Sequence, residues 1–285
     1  MNYQAPTSLD AAVDVLAGTG GDCRILAGGT DLLVQMRSDM AEPGTVLDIK
    51  RIDSFRTISE EDGGWRVGAA VSAAEMGEHS GLTAAWPGVV EAANLIGSTQ
   101  IQGRCTIVGN LCNASPAADS VPAMVAAGAT ARVAGPDGIR DVDVADVPAG
   151  PGKTSLKPGE LVASVFLPAR PPRSGDAYLR FIPRSEMDIA VVGCGVSLTL
   201  DEGGTCTAAR VALGAVAPTV LLAEEAAATL IGTKVDDAAL DALAAACSAA
   251  AKPIDDKRGT TEYRVHMAGV LARRAAVIAR NRAGA

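Results

Sequence analysis

Near the start of the chain, Leu9, Ala12, Val13 and Leu16 fall on one face of a helix, with Thr7-Ser8 suited to cap it and Gly18 to end it. Arg24 to Ala27 is a short apolar run of strand character, and Gly28-Gly29 is the turn that leaves it. Asp31 to Met36 reads as a helical turn and Val46 to Ile49 as a second strand, so the first 55 residues form a small α/β unit. A second α+β region begins near Trp65. Within it, Ser72-Ala73-Ala74-Glu75 has the spacing of a capping box. Pro87 to Ile96 and Pro122 to Ala127 read as helices, Ala129 to Ala134 as extended chain, and Asp137-Gly138 as a hairpin turn.

Proline and glycine thicken at Pro148 to Gly152 and again at Pro168 to Pro172; the second cluster is the expected domain boundary. Beyond it, apolar runs at Ile189 to Leu200 and Thr207 to Val216 flank Asp201-Glu202-Gly203-Gly204, which predicts a hairpin. Three helices follow, at Ala223 to Leu230, Asp236 to Ala251 and Tyr263 to Arg282. The last carries Val265, Ala268, Gly269 and Ala272 on one side, and its Arg264, Arg273 and Arg274 predict a partly solvated helix. No internal repeat is present. The expected fold class is α+β: residues 1–172 as two lobes (roughly 1–55 and 56–172), then a smaller C-terminal domain, 173–285, of antiparallel strands and helices.

Composition narrows the function. The chain has 285 residues, 48% of them hydrophobic but only 3% aromatic, so its cores are built from small aliphatic side chains. A net charge of −8 argues against nucleic acid as a partner. No apolar run reaches the length of a transmembrane segment, and Met1 to Pro6 lacks the pattern of a signal peptide, so a cytoplasmic location is expected. The six cysteines form no C-x-x-C pair and read as reduced packing residues, and His79 and His266 are isolated. No metal or His-centred catalytic constellation is expected on this chain.

The chemistry concentrates in two glycine-centred stretches, Ala27-Gly28-Gly29-Thr30-Asp31 and Thr106-Ile107-Val108-Gly109-Asn110. Each offers bare backbone N–H groups beside small hydroxyl or amide side chains, which suits the two phosphates of a dinucleotide. Neither fits the common templates: no G-x-G-x-x-G opens a helix after the first strand, and Gly152-Lys153-Thr154 lacks the first P-loop glycine because Val147 stands there. Gly150 to Thr154 therefore reads as a plain loop.

Taken in order, these stretches and Asn113 to Asp119 (N-A-S-P-A-A-D) resemble the FAD-binding, or medium, subunit of molybdenum hydroxylases, the family of xanthine and carbon monoxide dehydrogenases. The resemblance spans almost the whole chain. It implies the two-lobed FAD-binding domain of the PCMH type and a non-covalent FAD. By that resemblance Ile25, Leu26, Ala27, Gly28, Gly29, Thr30, Asp31 and Leu32 wrap the pyrophosphate, and Thr106, Ile107, Val108, Gly109 and Asn110 meet phosphate or ribityl groups. It also assigns Ile96 and Val162 as apolar flavin contacts, and Asp119 and Arg180 as polar ones; a helix N-terminal carboxylate is the alternative reading of Asp119. Arg180 stands where the family has a lysine, with different donor geometry. Arg184 and Asp188 match the pattern and also suit an ion pair. Val108 replaces a glycine of the family's T-I-G-G-N; a positive φ there would strain it, whereas extended backbone would send its side chain into the core.

The resemblance further implies an oxidoreductase complex: a large molybdopterin subunit, a small subunit with two [2Fe–2S] clusters, and a dimer of such heterotrimers. This chain would pass electrons to NAD, oxygen or another acceptor. The cysteine-rich insertion of the benzoyl-coenzyme A-type reductases is missing, so no further cluster is expected here. A free-standing flavoenzyme, or an assembly subunit that has lost flavin, are the other readings.

Overall fold

A computed structural model describes residues 1–284. Lobe one contains β1 (Asn2–Gln4), α1 (Leu9–Gly18), β2 (Cys23–Leu26), α2 (Leu32–Arg37) and β3 (Thr45–Asp48). Its three strands are parallel in the order β1-β3-β2, leaving β2 as an edge. Ser8 caps α1 by accepting from the Ala11 N–H, and Ala12 and Leu16 face the core, as the periodicity predicts. Helix α2 starts one residue after the expected Asp31 and buries none of its residues.

Lobe two contains β4 (Ile58–Glu61), β5 (Gly64–Gly68), α3 (Ala73–Glu78), α4 (Ser80–Ala85), α5 (Pro87–Asn94), α6 (Thr99–Gln102), α7 (Ile107–Cys112) and α8 (Ser120–Ala126). It continues with β6 (Thr130–Gly135), β7 (Gly138–Asp143), β8 (Pro148–Gly150), β9 (Lys153–Thr154) and β10 (Leu161–Leu167). An antiparallel sheet runs β4-β5-β10-β6-β7. The capping box is complete: Ser72 accepts from the Glu75 N–H while the Glu75 carboxylate accepts from the Ser72 N–H. Phe55, Met76, Leu82, Met124 and Leu161 are fully buried in a core shared by both lobes.

The C-terminal domain has β11 (Ser174–Phe181), β12 (Val192–Leu200), β13 (Cys206–Gly214) and β14 (Leu221–Leu222), followed by α9 (Glu224–Ala228), α10 (Asp237–Ala250) and α11 (Thr261–Arg282). The antiparallel sheet β11-β12-β13-β14 and α9 to α11 bury a separate core that includes Leu198, Leu213, Leu240 and Leu243. Helix α8 packs on β12 and β13, joining the domains. The last helix is partly solvated as expected, with Arg274 exposed, but one of its three arginines differs. Arg264 is buried, not solvated: its guanidinium donates to the carbonyls of Val191 and Ala215 and pairs with Asp256 at 2.7 Å. Those acceptors replace the water it gives up.

Candidate cofactor-binding site

Between the two lobes lies a cleft of about 630 Å³, within the range of cofactor sites. Both glycine stretches line it. The first leaves β2 at Ala27 and runs through Gly28 and Gly29 into α2. Gly29 has φ +79°, a conformation that favours glycine, while a Cβ there would come within 2.8 Å of a terminal methyl of Leu26, which can shift. The N–H groups of Gly28, Gly29 and Thr30 donate to no protein acceptor among the described residues. Three adjacent unpaired backbone donors in a concavity form an anion cradle.

The second stretch differs from the expected loop. Thr106 is extended (φ −130°, ψ 148°) and N-caps α7, its Oγ1 accepting from the Gly109 N–H at 2.9 Å. Val108 therefore sits in the first turn of a helix, without positive φ, and only 4% exposed. The strain feared for a β-branched residue here does not arise, and the backbone is helical instead of extended. Asn110 is anchored by its carbonyl oxygen, which accepts from the Ser120 N–H (3.1 Å) and hydroxyl (2.7 Å). Its amide nitrogen donates to no protein acceptor among the described residues, and the residue lines the cleft. Asn113 ties the two lobes across the cleft: its amide donates to Asp31 and its carbonyl oxygen accepts from Gln35, both at 3.3 Å.

Thirteen of the residues expected from the sequence share this wall: Ile25, Ala27, Gly28, Gly29, Thr30, Asp31, Leu32, Ile96, Thr106, Val108, Gly109, Asn110 and Val162. Four stand off it. The Leu26 side chain lies beneath Gly29, and Ile107 is fully buried in the core. Asp119 and Arg180 instead pair with each other at 2.8 Å, joining the start of α8 to β11, with the Tyr178 hydroxyl 3.4 Å from Asp119. Burial pushes the Asp119 carboxyl up to about 6 despite the opposing charge of Arg180. Asp119 occupies the N-cap position of α8 but makes no capping hydrogen bond with its side chain. Arg184 pairs with Asp188 at 3.2 Å on the surface, the simpler of the two readings of that pair.

Sequence reasoning missed part of the wall. Gly152, Thr154 and Leu156 to Glu160 close the cleft from lobe two, and Cys23, taken as a packing residue, lines it from β2 together with Arg24. Gly152 is held there by its N–H donating to the Ala114 carbonyl at 3.0 Å. The only signal for this segment was its glycine and proline content, which marks any loop. Cys105 and Cys112 also line the cleft, and burial pushes their thiols up to about 11 and about 12.

A two-walled cleft built around unpaired backbone donors defines a binding protein for a dinucleotide cofactor. Residues 1–170 match the family model described as the FAD binding domain in molybdopterin dehydrogenase, and residues 177–278 match the CO dehydrogenase flavoprotein C-terminal domain. The chain is 37% identical to the carbon monoxide dehydrogenase medium chain of Afipia carboxidovorans, covering 99% of this chain and 97% of that one. It is 30% identical to the xanthine dehydrogenase FAD-binding subunit of Escherichia coli O157:H7, covering 93% and 91%. CO dehydrogenase from Oligotropha carboxidovorans superimposes with a TM-score of 0.95 at 36% identity, covering 99% of this chain and 98% of that one. Quinoline 2-oxidoreductase from Pseudomonas putida 86 gives a TM-score of 0.91 at 28% identity, again covering 99% and 98%. The chain belongs to the molybdopterin dehydrogenase FAD-binding family, as an FAD-binding medium subunit of the molybdenum hydroxylase type and hence an oxidoreductase component. No helix among the described residues is long and apolar enough to cross a membrane.

Proposed function

We propose that this chain collects electrons from the [2Fe–2S] clusters of a small partner subunit, after a large molybdopterin subunit has oxidised the substrate, and delivers them to NAD, oxygen or another acceptor. The observation that carries this reading is the pair of glycine stretches facing one cleft from two lobes, with the Gly28, Gly29 and Thr30 N–H groups unpaired. Those donors, with the Asn110 amide, would hold the FAD pyrophosphate, and Ile96 and Val162 would give the ring an apolar surface. Bound there, FAD supplies the exchange between one-electron and two-electron carriers. The chain itself binds, orients and shields. The reading asks nothing of the chain beyond flavin binding. A dimer of heterotrimers in the cytoplasm completes the proposal.

An assembly subunit without flavin would have rested on strain at Val108, and its helical conformation removes that support. The test is anaerobic mixing of the flavin-loaded chain with heteroaromatic and aldehyde substrates. The flavin stays oxidised until the molybdopterin and iron–sulfur subunits are added. Bleaching without them would overturn the proposal in favour of a free-standing flavoenzyme.

A further inference from the structure

A chain of polar contacts leads from the outer edge of lobe one to the first phosphate-binding peptide. On edge strand β1, the exposed Tyr3 donates its hydroxyl to Asp48 Oδ2 at 2.6 Å. Asp48 ends the central strand β3 and is 7% exposed. Its other oxygen, Oδ1, accepts from the Lys50 backbone N–H at 2.9 Å and from Lys50 Nζ at 2.7 Å. Lys50 Nζ then donates to the Ala27 carbonyl at 3.1 Å. Burial of Asp48 favours its neutral form, but the hydrogen bonds from Lys50 and Tyr3 outweigh it and hold the carboxyl below its usual range.

The last link matters because Ala27 C=O and Gly28 N–H belong to one planar peptide. In a trans peptide these two groups point in opposite directions, and no cis bond occurs among the described residues. Holding the carbonyl on Lys50 therefore turns the Gly28 N–H the other way, and that N–H has no protein acceptor. Without Lys50, the Ala27 carbonyl loses its hydrogen bond and only the packing of Gly28 against the Arg104 main chain restrains the peptide, at a glycine that tolerates a wide range of φ and ψ. The neighbouring register is already used: Ile49 N–H donates to the Leu26 carbonyl, fixing the peptide before it.

We propose that Lys50, itself positioned by Asp48 and Tyr3, is a positioning residue that presents the Gly28 N–H to the diphosphate of FAD. Lys50 does not act as a free cation, because Asp48 neutralises it at 2.7 Å. Its effect is orientation. The proposal rests on the cleft being the FAD site, and it concerns the diphosphate end of the cofactor, not the ring.

The test is titration of the full chain, freed of flavin, with FAD and separately with ADP, which carries the diphosphate without the isoalloxazine. If the parent chain binds neither, the reading of the cleft itself fails. With the parent binding both, Lys50→Met raises both dissociation constants by about tenfold, the scale of a charge-assisted hydrogen bond. Lys50→Arg, which keeps the donor, restores most of the loss for both ligands. Tyr3→Phe removes an exposed hydroxyl and is the variant for which folding is not at stake; it weakens FAD and ADP in parallel by about threefold. FAD and ADP affinities that stay within about twofold of the parent in Lys50→Met, or in Tyr3→Phe should Lys50→Met not fold, overturn the proposal. So does a loss confined to FAD, which would place the effect at the ring.

Discussion

Gly28 of lobe one and Arg104 of lobe two meet backbone to backbone: a Cβ on Gly28 would lie 1.9 Å from the Arg104 carbonyl oxygen and 2.7 Å from its carbon. No side chain stands between them. The two lobes thus meet here main chain to main chain, and neither can retreat by changing a rotamer.

Gly28→Ala is therefore expected to force the lobes apart. The overpacking cost against rigid backbone is about 3 kcal/mol, at the upper end of the usual range. Thermal unfolding should show a drop of several degrees and purified protein a lower flavin-to-protein ratio. Gly103→Ala is the control, since a Cβ there meets nothing within 4 Å; equal behaviour of the two variants would contradict the lobe contact.

FAD should be held without a covalent bond. Among the described residues no histidine lines the cleft, and burial raises the Cys23 thiol and pushes those of Cys105 and Cys112 up to about 11 and about 12, keeping all three protonated at neutral pH. Acid or heat precipitation should leave all the yellow colour in the supernatant. Colour that stays with the polypeptide would show a tether.

Asn110→Ala should lower flavin occupancy more than Asn281→Ala, an exposed substitution on α11. The first removes a cleft amide and also the acceptor for the Ser120 N–H and hydroxyl that sets α8. The flavin-to-protein absorbance ratio reads the difference, and identical ratios in the two folded variants would remove Asn110 from the site.

Asp119 makes the junction of α8 with β11 sensitive to pH. Its folded value, about 6, lies above the ordinary 3.8, so the buried carboxyl favours its protonated form. The stability it contributes is fully present below about pH 4 and is lost as pH rises through about 6. The advantage of the parent over Asp119→Asn in chemical denaturation should accordingly shrink between those limits and level off above them. A constant or growing advantage would show that the Arg180 pairing outweighs burial.

Much of this architecture is written locally. Ser72 and Glu75 specify the start of α3 with no help from elsewhere, and Asp201 to Gly204 close the β12–β13 hairpin by their own turn chemistry. What escaped the sequence depends on distant partners. Ile107, Val108 and Gly109 are poor helix formers, yet α7 exists because Thr106 caps it and Ile107, Val108 and Leu111 are buried. Arg264 reads as solvated until Val191 and Ala215 present their carbonyls to it. The same holds at the site. The two glycine stretches carried a local signature, but residues 152–160 reach the cleft only because lobe two folds back upon lobe one.

The bridge from Asn113 to Asp31 and Gln35 joins the end of α7 to the start of α2 across the cleft. With main chain meeting main chain at Gly28 and Arg104, this bridge is a second tie between the lobes, and it acts as a clasp across the cleft. The rate at which cofactor leaves should then be the rate at which the clasp parts. Exchange with labelled FAD would be slow and indifferent to the concentration of the incoming molecule, so a complex assembled around this chain would keep the flavin it was built with through many turnovers.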